Sequence, residues 1–274
     1  MSRWRTLHDS LKSTFGNDVM SDLRRAVKRS PVITIGGDQL TGKSTLAVNV
    51  ARTFGGELRS TGDALRQEAT NRNISIGEMC KLAKNDLTID LGVDMEVCRM
   101  ICSGSDEGAG TGSLSSRVRH SPLVIQGRLP AALATMALED LGKPRDAVHR
   151  IYLKCSIVEQ ALRFVSREIG PEEYEAARSV LQDRSFDSLA DASRELMFLP
   201  LKEETKIALT KEFKANQSRD DDDRERFATL YGAEFDYRDS GMYDIEIDTS
   251  DIPPEETLRR ALKSIRCGLS FPSY

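Results

Sequence analysis

Val32-Ile33-Thr34-Ile35, followed by Gly36 and then Gly37-Asp38-Gln39-Leu40-Thr41-Gly42-Lys43-Ser44-Thr45, decides how this chain is read. A short β-branched run is a buried strand, and Gly-x-x-x-x-Gly-Lys-Ser between a strand and a helical pattern is the signature of a phosphate-binding loop. Only residues without Cβ let consecutive backbone N–H groups converge on an anion and then turn sharply into a helix. Gly36, Gly37 and Gly42 supply that freedom. The helix expected from Ser44 to about Phe54 aims its partial positive end at the phosphates. Lys43 adds a point charge for the β- and γ-phosphates, and the Ser44 hydroxyl suits Mg²⁺. Residues 37 to 45 are therefore the candidate ATP site.

The chain has 274 residues, 39% apolar and 30% charged, enough to build a sizeable core in a globular protein. No run of eighteen apolar residues occurs, and the opening MSRWRTLHDS lacks the apolar centre of a signal peptide, so a cytoplasmic protein with no membrane association is expected. With 39 basic and 43 acidic residues the net charge is −4, which provides no basic field for nucleic acid. Cys80, Cys98, Cys102, Cys155 and Cys267 form no C-x-x-C pair and stand beside only three histidines, so they read as ordinary thiols.

Two amphipathic patterns, Trp4 to Phe15 and Asp18 to Lys28, precede the first strand as a helical pair, either a packing extension or a partner surface. After the loop and its helix, Glu57 to Arg59 is a short strand leading into Ser60-Thr61-Gly62-Asp63-Ala64-Leu65-Arg66. Ser60 and Asp63 suit a helix cap, yet Arg66 at the carboxyl end of a second strand also lies within reach of an acceptor phosphate. Residues 63 to 101 read as helices broken near Asn71–Asn73 and before Asp90, with Asp90 and Asp94 one turn apart on what is expected to be a solvated face. Ser103 to Ser116 is rich in glycine and serine and reads as a surface loop.

Pro122 to Gln126 is the next strand, with Arg128 at its carboxyl end, where doubly wound sheets bind ligands. A helix from Pro130, a strand from Ala147 to Lys154 and a helix from Ile157 follow; β and α elements alternating with long crossovers imply parallel strands. Gly170 to Asn216 carries helical signal only, as an insertion that could close over a site. Ser218-Arg219-Asp220-Asp221-Asp222-Asp223-Arg224-Glu225-Arg226 is the densest charge cluster. Read as a helix, it sets Arg219, Asp223 and Arg226 on one face, suited to a nucleotide's base, sugar or phosphate; the bland reading is a solvated face. Tyr243 to Asp248 is the last strand and Pro253 to Cys267 the closing helix.

Four stretches, GDQLTGKST, STGDALR, VIQGRL and RDDDDRERF running into LYGAEF and YDIEIDTS, together resemble the cytidylate kinases of the nucleoside monophosphate kinase group, in order and spacing across most of residues 31 to 267. The resemblance implies a P-loop three-layer α/β fold with a five-stranded parallel sheet, an N-terminal helical extension over 1–30, a kinase domain over 31–274, an acceptor-nucleotide region over 59–120 and a lid insertion over 163–226. It implies MgATP held by residues 37 to 45, with Ser44 on the metal and Lys43 following the γ-phosphate. Ser60, Asp63, Arg66 and Arg128 would cradle the acceptor. Arg163 and Arg167 would clamp the phosphates during transfer, and Arg219, Asp223 and Arg226 would contact the acceptor nucleotide. The expected reaction is transfer of the γ-phosphate to CMP or dCMP. Two alternatives are a kinase of the same fold with another acceptor and a nucleotide-binding regulatory protein without turnover.

Three departures from the family's pattern stand out. Gln126 occupies the end of the third strand, where a carboxylate is usual; Asp222 occupies a place where bacterial members often have arginine; and the segment 170 to 216 is longer than the usual lid.

Overall fold

The computed structural model describes residues 3–104, 121–168, 170–198 and 203–269. Nearly all of the glycine- and serine-rich stretch expected as a surface loop lies outside them. In chain order the elements are α1 (Arg3–Phe15), α2 (Asn17–Ala26), β1 (Val32–Gly37), α3 (Lys43–Phe54), β2 (Glu57–Ser60), α4 (Thr61–Asn71), α5 (Ile76–Asn85), α6 (Thr88–Ser103), β3 (Leu123–Gln126) and α7 (Pro130–Glu139). They continue with β4 (Val148–Lys154), α8 (Ile157–Glu168), α9 (Pro171–Leu181), α10 (Leu189–Leu196), α11 (Glu203–Tyr231), β5 (Ile245–Asp248) and α12 (Pro254–Gly268).

The five strands form one parallel sheet in the order β2-β3-β1-β4-β5. β1 is central and buried along its whole length, as a β-branched run flanked on both faces by helices requires. The register sets Ile35 beside Gln126 and Gln126 beside Ser60, so the carboxyl ends of β1, β3 and β2 finish side by side.

Helices cover both faces. Ile33, Ile35, Leu46, Val50, Ile151, Ile247 and Ile265 join α3 and α12 to one face. On the other, Leu123, Leu133, Met136, Val148 and Tyr152 meet α6, α7 and the end of α11. Each such fully buried aliphatic side chain contributes roughly 1.5–3 kcal/mol by leaving water. α7 is buried from Pro130 through Ala137, which explains its run of alanines: small side chains let it lie close beneath the sheet.

The N-terminal pair belongs to this same core. Leu7, Leu11, Met20 and Leu23 are buried in the cluster that contains α6, α7 and α11. Ser10 Oγ donates to the carbonyl of Leu230 at 2.7 Å. Lys143, 3% exposed, donates to the carbonyls of Lys28 at 2.7 Å and Cys102 at 3.4 Å.

Among the described residues of 170 to 216, helices α9, α10 and the start of α11 are joined by short non-helical turns and no strand occurs, in keeping with the sequence. Phe164, Leu181, Leu196 and Phe213 make a separate apolar cluster, the two phenylalanine rings 4.1 Å apart between centroids. α11 spans 29 residues, about 43 Å at 1.5 Å per residue. Phe213 near its start packs in the separate cluster, and Phe227, Leu230 and Tyr231 at its end pack in the main core.

Candidate active site

The loop after β1 is held by its own backbone. Gly42 adopts φ 92° immediately before α3, a conformation open to glycine at no steric cost. The Thr41 hydroxyl donates to the carbonyl of Asp38 at 2.8 Å, and Lys43 Nζ also points to that carbonyl. Leu40 sits at φ 62°, left-handed without being glycine. Its side chain packs against the cluster of Phe164 and Phe213.

A cavity of about 230 Å³ opens at the carboxyl ends of the strands. Gln39, Lys43 and Ser44 line it from the loop side, Ser60 and Arg66 from the start of α4, and Gln126 and Arg128 from the end of β3. Asp90 and Asp94 of α6 and Asp223 and Arg226 of α11 close its far side. Gly127 lets the turn after β3 come this close to α4, because a Cβ there would stand 2.2 Å from the Thr61 hydroxyl.

The charged groups in the cavity are paired. Arg226, 6% exposed, donates from Nε to Asp90 at 2.8 Å and from Nη2 to Asp223 at 2.6 Å. Arg128 pairs with the other oxygen of Asp223. A fork-shaped guanidinium between two carboxylates suits this geometry better than an ammonium would. Asp90 and Asp94 are therefore buried, which corrects the expectation of a solvated face. Burial raises the Asp90 carboxyl above its ordinary range against the pull of Arg226. Asp94 accepts from the Tyr231 hydroxyl, and burial, outweighing that bond, pushes it up to about 7.

Other expected residues lie as follows. Ser60 caps α4, its hydroxyl accepting from the backbone N–H of Asp63 at 3.3 Å. Asp63 is exposed and takes a hydrogen bond from Arg66 Nε at 3.1 Å, so Arg66 reaches the cavity while tethered to its own helix. Arg163 donates to the carbonyl of Leu40 at 3.1 Å, to the Thr249 hydroxyl at 3.1 Å and to the Thr249 carbonyl at 2.5 Å. With Thr41, Gly42 and Thr45 it lines a second cavity of about 340 Å³ between the loop, α8 and the start of α12. Arg167 is exposed, pairs with Glu168 at 2.7 Å and lines neither cavity. Arg219 lies in α11, and its side chain is outside the described residues. Asp222 pairs with Lys84 of α5 at 2.6 Å.

From sequence Asp90 and Asp94 read as a solvated pair, and Tyr231 and Tyr237 are not singled out. A signal for the two aspartates existed: carboxylates one turn apart inside the otherwise apolar run Ile89, Leu91, Val93, Met95 and Val97. No group of three or more His, Cys, Asp or Glu among the described residues could hold a metal, and all five cysteines are free thiols. No described helix is long and apolar enough to cross a membrane.

The architecture defines an α/β protein with an open, five-stranded parallel sheet and a charged, ligand-sized cavity at its carboxyl edge. Its sequence is similar to proteins named cytidylate kinase, and the chain is their distant relative. The Methanopyrus kandleri protein is 26% identical over 228 residues, covering 83% of this chain and 89% of that one. The Pyrobaculum aerophilum protein is 26% identical over 241 residues, 88% and 95% of the two chains. The Methanocella arvoryzae protein reaches 35% over 141 residues, 51% and 65%. No protein-family model matches. An uncharacterized protein of known structure from Eubacterium ventriosum superposes with a TM-score of 0.42 at 13% identity, covering 86% of this chain and 99% of that one, too loosely to bear on the argument.

Proposed function

We propose that this protein is a nucleoside monophosphate kinase that transfers the γ-phosphate of ATP, with Mg²⁺, to CMP or dCMP. The observation that carries the reading is the single cavity in which Lys43 and Ser44 of the glycine loop face Arg66, Arg128 and Arg226. A donor phosphate on the loop and an acceptor phosphate on the arginines would meet across it.

In this reading the loop over residues 37 to 45 is a P-loop, its N–H groups and the start of α3 cradling the β- and γ-phosphates. The second cavity, beside Thr45 and Arg163, takes the rest of the donor. An oxygen of the acceptor phosphate attacks the γ-phosphorus in line while the bond to the bridging β–γ oxygen breaks, and ADP leaves with that electron pair. Positive charge around the transferring group and exclusion of water are what such a loose transition state needs from protein. Bound Mg²⁺ would neutralise charge on the phosphates. The Ser44 hydroxyl and the Gln126 amide, both on the cavity wall, are neutral oxygen donors that suit it, because Mg²⁺ keeps waters and phosphates as most of its ligands. Arg163 already holds the loop, and Arg167 would join the phosphates on closure of α8 to α10 over the cavity.

Coupled ADP release, measured with MgATP against CMP, dCMP, UMP, AMP, GMP and dTMP, tests the reading, with Lys43→Ala as the blank. Turnover strongest with CMP or dCMP and lost in the blank supports it. ATP binding without turnover on any monophosphate rejects it in favour of a nucleotide-binding regulator.

A further inference from the structure

The buried carboxyl of Asp94 lines the cavity and is not among the phosphate-binding groups proposed above. Asp94 is 4% exposed and lines the cavity together with the apolar side chains Leu65, Val93, Leu129 and Phe227. Those four supply the faces against which a planar ring can lie. The charged residues on the loop side, Lys43, Arg66 and Arg128, supply the phosphate end. One oxygen of Asp94, Oδ2, is taken by the hydroxyl of Tyr231. Tyr231 is itself 1% exposed and fixed as the last residue of α11, so the carboxyl is held in one orientation. The other oxygen, Oδ1, accepts from no described residue. A polar atom whose hydrogen bond is left unmade once a ligand excludes water is costly, and it therefore discriminates between ligands that do and do not satisfy it.

We propose that Asp94 is the residue that reads the acceptor base, its Oδ1 accepting a hydrogen bond from the exocyclic 4-amino group of a pyrimidine ring, with Tyr231 as the positioning residue that aims it. Cytosine presents an N–H donor at that place. Uracil and thymine present a carbonyl oxygen, which meets Oδ1 acceptor to acceptor. This proposal rests on the kinase reading above for its acceptor site and adds the choice of base.

The ratio of kcat/KM for CMP to that for UMP is the readout, in wild type and in Asp94→Asn, with KM for ATP as control. An amide can turn its NH₂ toward a carbonyl oxygen, so the ratio falls by about tenfold or more, with KM for ATP unchanged. A folded Asp94→Asn with the wild-type ratio overturns the proposal. Should Asp94→Asn fail to fold, the wild-type protein decides by pH. The groups facing Asp94 are Asp90 on its own helix, Cys98 one turn on, and Arg226 and Tyr231 of α11. Among them the carboxyl gains a proton as pH falls from about 8 to about 5.5, and Oδ1 then donates to the uracil oxygen, so the ratio falls. A flat ratio over that range overturns the proposal. Calorimetric binding of CMP and UMP separates this test from the kinase reading. CMP preferred, and the preference lost in Asp94→Asn, upholds base reading even without turnover; equal wild-type affinities overturn it.

Discussion

Tyr237 donates its hydroxyl to Asp38 Oδ1 at 2.5 Å while its ring lies under the guanidinium of Arg128, 5.8 Å from centroid to carbon. One buried side chain thus ties the glycine loop, where the donor would sit, to the arginine that faces the acceptor. Arg238 lies over the same ring at 5.9 Å. Tyr237→Phe removes only the hydrogen bond and is expected to cost about 1 kcal/mol in denaturant unfolding. Tyr237→Leu also removes the ring beneath Arg128; KM for donor and acceptor should rise together in steady-state kinetics, whereas Tyr237→Phe should shift the donor's alone.

Arg226 bridges Asp90 and Asp223, and its loss strips Asp90 of this buried ion pair while Asp223 keeps Arg128. Arg226→Met is expected to lose about 3–5 kcal/mol of stability near pH 8. The Asp90 carboxyl, already raised by burial, can be protonated in the variant, so the loss shrinks toward about pH 5. Urea unfolding at the two pH values checks it. Equal losses would mean that the pair is not electrostatically engaged.

Asp94 carries a sign that differs from most carboxylates. Its folded-state value, up to about 7, lies above the unfolded one, so the folded chain holds an extra proton between roughly pH 4 and 7. Stability from this group is present at the acid end of that window and is lost as pH rises through about 7. Asp94→Asn removes the dependence. The stability of the variant relative to wild type is therefore expected to increase from about pH 4 to about pH 7 and then level off. Parallel curves would place the ionisation elsewhere.

Leu40 holds a left-handed backbone at the loop tip while its side chain packs on the cluster of Phe164 and Phe213. Left-handed geometry costs a residue with Cβ about 1–2 kcal/mol, a cost glycine does not bear. Leu40→Gly and Leu40→Ala both lose the packing, but only alanine keeps the strain. The glycine variant should be the more stable of the two by about 1 kcal/mol in thermal or urea unfolding, the reverse of their order in a helix. Hydrogen exchange in α8 to α10 should quicken in both, since Leu40 is their apolar link to the loop.

What the sequence made legible was local. The β-branched run before Gly37, the helix after it and the alternation of strands with helices rest on neighbours a few residues apart, and the parallel sheet follows from them. The strand positions of Gln126 and Ser60 then place Arg128 and Arg66 at one edge. Asp90 and Asp94 were opaque because their spacing is that of an exposed helical pair. What buries them arrives from far along the chain: Arg226 stands 136 residues from Asp90, and Tyr231 stands 137 from Asp94. The pairing of Arg128 with Asp223 was hidden for the same reason. A motif names both residues as ligand contacts and does not disclose that they hold each other. The reading of Ser60 as a helix cap was available locally, and the structure places that cap at the cavity wall.

The bond from Ser10 to the carbonyl of Leu230 joins residues 220 apart in sequence. On the ribosome, Leu7, Leu11, Met20 and Leu23 leave the exit tunnel long before α11 exists to cover them. At 5–20 residues per second that interval is roughly 10–45 s. β1 waits as well, since Val32 pairs with Leu123 and Val148. α6 and α7 cover much of the N-terminal pair earlier, and α11 closes the remainder over α1. A product that ends before α11 therefore leaves the part of α1 that α11 covers as exposed apolar surface, a site for aggregation.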